Sequence, residues 1–122
     1  MDEVISNLWV GNKEDAEQTT DMIMIGVGDY SRVWDNYYIP ILGEDELNAR
    51  VLNSLLEIID YFMERGDKVL VYCEEGIDRS PYVAAQYILG YFFEDEETLG
   101  DAYSIVKRSH KETIEHYEWE NI

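Results

Sequence analysis

Apolar residues fall along this chain in short runs separated by polar turns, and their period changes from run to run. Asn7-Leu8-Trp9-Val10-Gly11 predicts a short strand ended by a glycine, and the polar stretch from Asn12 to Thr20 suits a short helix or turn. Met22 to Val27 is a brief apolar run of the kind a buried strand shows, interrupted by Gly26 and ended by Gly28-Asp29. Tyr37-Tyr38-Ile39-Pro40-Ile41 is extended, because Pro40 biases Ile39 away from helix, and Gly43-Glu44-Asp45-Glu46 follows as a polar loop. The period then lengthens. Val51, Leu52, Leu55, Ile58, Ile59 and Phe62 recur at three- and four-residue spacing, predicting an amphipathic helix that stops near Gly66. Lys68-Val69-Leu70-Val71-Tyr72 has the β-branched apolar character of a central strand. Ser80 to Phe93 predicts a second long helix. Thr98 to Arg108 predicts a third, with Leu99, Ala102, Ile105 and Val106 on one face, and the aromatic tail from Thr113 to Ile122 adds a last short one. Strands alternating with helices predict an α/β fold, a central and mainly parallel twisted sheet flanked by helices. Ligands bind such sheets beyond the carboxyl ends of the strands. With no repeat or linker, residues 1–122 are expected to form one domain.

Composition narrows the partners. Hydrophobic residues make up 46% of the chain, enough for a core. Nine basic residues against 27 acidic ones leave a net charge of -18. That balance disfavours nucleic acid, which needs a positive footprint, and an anionic membrane surface for the same reason. Long-range attraction favours a basic protein partner, although the plainer role of the acids is to keep a small domain soluble. A lone cysteine forms no intrachain disulfide and suits a reducing compartment. Met1-Asp2-Glu3 lacks the basic start of a signal peptide, and no stretch approaches a membrane span, so a soluble cytoplasmic protein is expected.

That cysteine opens the most informative segment. Directly after the apolar strand the chain reads Cys73-Glu74-Glu75-Gly76-Ile77-Asp78-Arg79-Ser80-Pro81, then enters a helix. Ser80 suits the N-cap and Pro81 the first helical position. A loop joining a strand end to a helix N-terminus turns backbone N–H groups inward and forms an anion site with the helix dipole. Gly76 allows a tight turn, and Arg79 offers a planar fork of donors matched to two phosphate oxygens. Cys73 lies at the base of this positive field, which favours its thiolate, and Ser80 is placed to hydrogen-bond the sulfur.

Cys73-x5-Arg79-Ser80, with Gly76 between, resembles the signature loop of the cysteine-based protein tyrosine phosphatases, in particular their compact dual-specificity branch. Ser6 to Asn12 is similar to the opening strand and glycine of that branch. Tyr38-Ile39-Pro40-Ile41 resembles the approach to its general-acid loop, and Asn48 to Arg65 the helix before its signature strand. The resemblance implies hydrolysis of phosphotyrosine in a phosphorylated protein, with phosphoserine and phosphothreonine open as further substrates. Cys73 would attack phosphorus and form a phosphocysteine, while Arg79 and the amides of Glu74, Glu75, Gly76, Ile77 and Asp78 bind the phosphate. No metal or other cofactor is implied.

Three features depart from the family pattern. Tyr72 stands where the family has a histidine that orders the loop. Glu74, Glu75 and Asp78 put carboxylates beside a thiolate and a phosphate; either they point outward and favour a basic residue beside the phosphosite, or they are ordinary solvated acids. The general acid falls to Asp45 or Glu44, with Asp45 preferred, against a plain polar helix entry. A phosphate-binding module without turnover is the main alternative function; a sulfur-transfer or arsenate-reducing enzyme is a weaker one, since arsenate reduction needs more cysteines. His110 and His116 read as surface or packing residues, and Tyr30 and Trp34 as core aromatics.

Overall fold

The computed structural model describes residues 1–28, 37–38, 49–94 and 96–121. Its strands are β1 (Asp2–Ile5), β2 (Leu8–Gly11), β3 (Ile23–Gly26), β4 (Tyr37–Tyr38) and β5 (Val69–Tyr72). Its α-helices are α1 (Lys13–Gln18), α2 (Ala49–Glu64), α3 (Arg79–Tyr87) and α4 (Leu99–Ser109). The sheet order is β1-β2-β5-β3-β4, antiparallel between β1 and β2 and parallel at the other three pairings. This is the mainly parallel sheet with flanking helices that the alternation predicts.

β5 lies at the centre with all four residues buried. Its pleat sends alternate side chains to opposite faces. Val69 and Val71 join the main core with Leu55 and Ile59 of α2, Tyr82 and Val83 of α3, and Tyr103 and Val106 of α4. Leu70 and Tyr72 join a smaller cluster with Ala16 of α1 and Met24 of β3. Cys73, next in this alternation, belongs to the main core. The registers Gly11↔Tyr72 and Gly26↔Tyr72 end β2, β5 and β3 at one level. The chain segments that follow them, from Asn12, Cys73 and Val27, therefore meet at the carboxyl edge of the sheet.

Three features differ from the sequence-based expectations. β1 is an added edge strand; Asp2 and Glu3 are poor strand formers, and only Val4 is buried. Pairing with β2 through a tight turn with Asn7 at φ 70° supplies what propensity does not. The helix expected over Ser80 to Phe93 is α3 followed by a π-helical turn, Ile88–Phe92, in which the Phe93 amide donates to the Ile88 carbonyl. The expected caps shift as well: Asp78 is the N-cap of α3, and Ser80 and Pro81 lie inside its first turn. The tail ends in a 3-10 turn, Glu118–Asn121. Tyr30, Trp34, Ile39 to Ile41 and the Gly43 to Glu46 loop lie outside the described residues.

Core packing sets the first prediction. Leu55 is fully buried between α2 and the sheet, so Leu55→Ala should lower stability by about 2–5 kcal/mol. Ser54→Ala, one residue away on the exposed face, should stay within about 0.5 kcal/mol. Urea denaturation of the two variants checks the contrast.

Candidate active site

The residues after β5 fold around the end of β2. The amide of Cys73 donates to the Gly11 carbonyl at 3.4 Å, and the Ser80 hydroxyl donates to the same oxygen at 3.2 Å. At the far side of the loop, Gly76 adopts φ 74°. A Cβ there would lie 2.8 Å from the Gly11 carbonyl carbon and 3.0 Å from the Asn12 nitrogen. Both its left-handed backbone and its contact with neighbouring backbone require glycine. The loop thus closes into a ring about one peptide unit.

Inside that ring sits the sulfur. Cys73 Sγ lies 3.3 Å from Ser80 Oγ and accepts from the Ser80 amide at 3.4 Å. Ser80 is wholly buried, so its hydroxyl is committed to Gly11 and the sulfur rather than to capping. That explains the shifted cap. Above the sulfur is a pocket of about 330 Å³ lined by Cys73, Glu74, Glu75, Asp78 and Arg79.

The three acids of the loop behave differently. Glu75 is exposed. Asp78 turns to His116, whose Nε2 meets its carboxylate, and leaves the helix end without a side-chain cap. Glu74 does not point outward. Its Oε1 lies 2.8 Å from Arg79 Nη1, both side chains being about a quarter exposed. Gly28, after β3, makes room for this carboxylate, since a Cβ there would come within 2.0 Å of Glu74 Oε2. The Glu74 amide-to-carbonyl frame is tied down too, its carbonyl accepting from Lys13 N–H at 3.5 Å. A carboxylate therefore occupies part of the guanidinium fork that an incoming phosphate would use.

Tyr72 packs with Ala16, Met24 and Leu70 on the face of the sheet opposite Cys73. The histidines are where sequence reasoning falls short. His116 does pack, its ring stacking on Trp119, but both rings also reach the loop: His110 Nε2 meets the Gly76 carbonyl oxygen, and His116 Nε2 meets the Asp78 carboxylate. They stand 34 and 38 residues from these partners, and no local pattern connects them. Glu44 and Asp45 lie outside the described residues. Among the described residues, no group of three or more His, Cys, Asp or Glu is arranged to hold a metal, and no helix is long and apolar enough to cross a membrane.

Comparison with known proteins agrees with this geometry. Residues 9–119 match the dual specificity phosphatase catalytic domain. The candidate tyrosine phosphatase 123R of Invertebrate iridescent virus 6 is 29% identical over 111 residues, covering 86% of this chain and 76% of the viral protein. Human dual specificity protein phosphatase 5 is 40% identical over 55 residues, 43% of this chain and 14% of the human protein. The crystal structure of human DUSP28 superposes with a TM-score of 0.79 at 16% identity, over 99% of this chain and 91% of that one. The chain belongs to the dual specificity phosphatase catalytic-domain family.

Two predictions test the site. Glu74→Gln removes the resident anion from Arg79 and should lower KM for an aryl phosphate about three- to tenfold. Gly76→Ala should cost more than about 2 kcal/mol in urea denaturation and abolish phosphate binding in calorimetric titration.

Proposed function

We propose that this member of the dual specificity phosphatase family hydrolyses phosphotyrosine in protein substrates through Cys73, and accepts phosphoserine and phosphothreonine as well. The observation that carries the reading is the convergence of one sulfur, one guanidinium and a ring of backbone in a single pocket at the carboxyl edge of the sheet. The substrate phosphoryl group binds with its oxygens toward Arg79 and the loop amides. The Cys73 thiolate attacks phosphorus in line; the S–P bond forms, the ester P–O bond breaks, and the leaving oxygen takes a proton from a carboxylic acid. Water then attacks phosphorus, giving its proton to the same carboxylate, and the S–P bond breaks to release inorganic phosphate and thiolate. The Ser80 amide, which donates to the sulfur at 3.4 Å, is suited to stabilise that departing thiolate.

Asp45 is our choice for the acid, ahead of Glu44, on their position just after the Ile39-Pro40-Ile41 segment. Glu75, exposed on the pocket wall, favours substrates with a basic residue beside the phosphosite. A thiol nucleophile works only while reduced, which suits a cytoplasmic setting. A second reading, phosphate binding with little turnover, draws support from the Glu74–Arg79 pair, since substrate must displace an internal anion before it is clamped.

Hydrolysis of a small aryl phosphate in the presence of a chelator separates these readings. Wild type should turn over, and Cys73→Ser should fall to the rate of the uncatalysed reaction. Asp45→Asn should lose about 10²-fold or more in kcat and the basic limb of its pH profile, whereas Glu44→Gln should keep both. Phosphopeptide binding dependent on Arg79, without turnover by wild type, would establish the second reading instead.

A further inference from the structure

Successive residues of the phosphate loop are each held by the segment that follows α4. His110 Nε2 meets the carbonyl of Gly76, the Ile114 amide donates to the carbonyl of Ile77 at 2.7 Å, and His116 Nε2 meets the carboxylate of Asp78. Both rings are braced from behind. His110 Nδ1 lies 2.7 Å from Asp2 Oδ2 on β1, and His116 Nδ1 lies 2.9 Å from Glu118 Oε1. The His116 ring stacks on Trp119 at 3.8 Å between centroids, and Trp119 packs edge-on against Tyr82 of α3. The His116 amide donates to the Tyr103 hydroxyl of α4 at 3.0 Å. Burial pushes the pKa of that hydroxyl upward, which keeps it protonated. The segment is thus anchored to β1, α3 and α4, and it touches the loop at residues 76, 77 and 78, immediately before Arg79.

These contacts answer an electrostatic problem. A carboxylate at Asp78, on the wall of the pocket, repels a phosphate dianion unless its charge is offset. An imidazole donor at Asp78 engages that carboxylate, turns it away from the pocket and steadies the residue that precedes Arg79. Tyr72, at the position before the cysteine, packs with Ala16, Met24 and Leu70 on the opposite face of the sheet.

We propose that His116 and His110 are positioning residues that hold the phosphate loop in its anion-binding form from the C-terminal segment, with His116 supplying a hydrogen-bond donor to the Asp78 carboxylate. The proposal rests on the phosphatase reading of the site, and the experiment keeps the two apart. His116→Phe retains a ring to stack on Trp119 and removes the donor to Asp78; His116→Gln retains a donor and removes the stack. For each variant, the dissociation constant for inorganic phosphate would be measured by calorimetry, KM and kcat with an aryl phosphate, and the thermal midpoint by scanning fluorimetry.

His116→Phe should weaken phosphate binding and raise KM about tenfold, while His116→Gln should stay within about threefold of wild type even if its midpoint falls further. Adding Asp78→Asn to His116→Phe should recover part of the lost affinity, because the uncompensated carboxylate is gone. Affinity that follows the thermal midpoint rather than the donor, or no recovery in the double variant, would overturn the positioning role while leaving the site intact. Wild type that binds phosphate without hydrolysing it would remove the enzymatic reading, and the affinity ratios would still decide the role of His116. Wild type that neither binds nor hydrolyses would overturn both.

Discussion

The loop from Cys73 to Ser80 is wound about one peptide unit, that of Gly11 at the end of β2. Its carbonyl oxygen takes the Cys73 amide as the chain leaves β5 and the Ser80 hydroxyl as the chain enters α3. Gly76, halfway round, lies close enough to the same unit that no side chain fits between them. A buried carbonyl must find donors. Here its donors are the start and the end of the loop, so satisfying one oxygen closes the ring and brings the Ser80 amide and hydroxyl onto the Cys73 sulfur. The register of β2 against β5 sets where that oxygen lies, which makes sheet pairing the origin of the site's geometry.

Charge works against this arrangement, and the fold contains it pair by pair. The loop carries three acids around one arginine. Glu74 is paired with Arg79, Asp78 meets the His116 ring, and Glu75 is left in solvent. The Glu74 pair has a different consequence from the Asp78 pair. It places a carboxylate on one nitrogen of the guanidinium fork, inside the pocket that Glu74 and Arg79 both line. On the proposed phosphatase reading, a substrate phosphate would compete with this carboxylate for the guanidinium.

Local sequence carried much of this. The period change at Val51, the apolar run at Val69 to Tyr72 and the Cys73 to Arg79 spacing are signals set by nearest neighbours, and α2, β5 and the loop follow them. Tertiary contacts decided the rest. β1 forms because β2 offers an edge, although Asp2 and Glu3 alone argue against a strand. Ser80 looks like a cap, yet a buried sulfur and a carbonyl 69 residues away claim its hydroxyl. His110 and His116 find partners 34 and 38 residues distant, at a range where spacing carries no information. The direction of Glu74 depends on Gly28, a residue on a neighbouring strand end that no reading of the loop itself would include.

The proposed reaction is covalent: phosphorus would pass through the sulfur of Cys73. Acid quenching during turnover of an aryl phosphate, followed by intact-mass analysis and peptide mapping, reads this directly. A single phosphoryl adduct is expected on the peptide containing Cys73, disappearing when substrate is exhausted. A phosphoryl group mapped to any other residue, or steady turnover with no adduct at any quench time in a variant slowed in the second step, would contradict it.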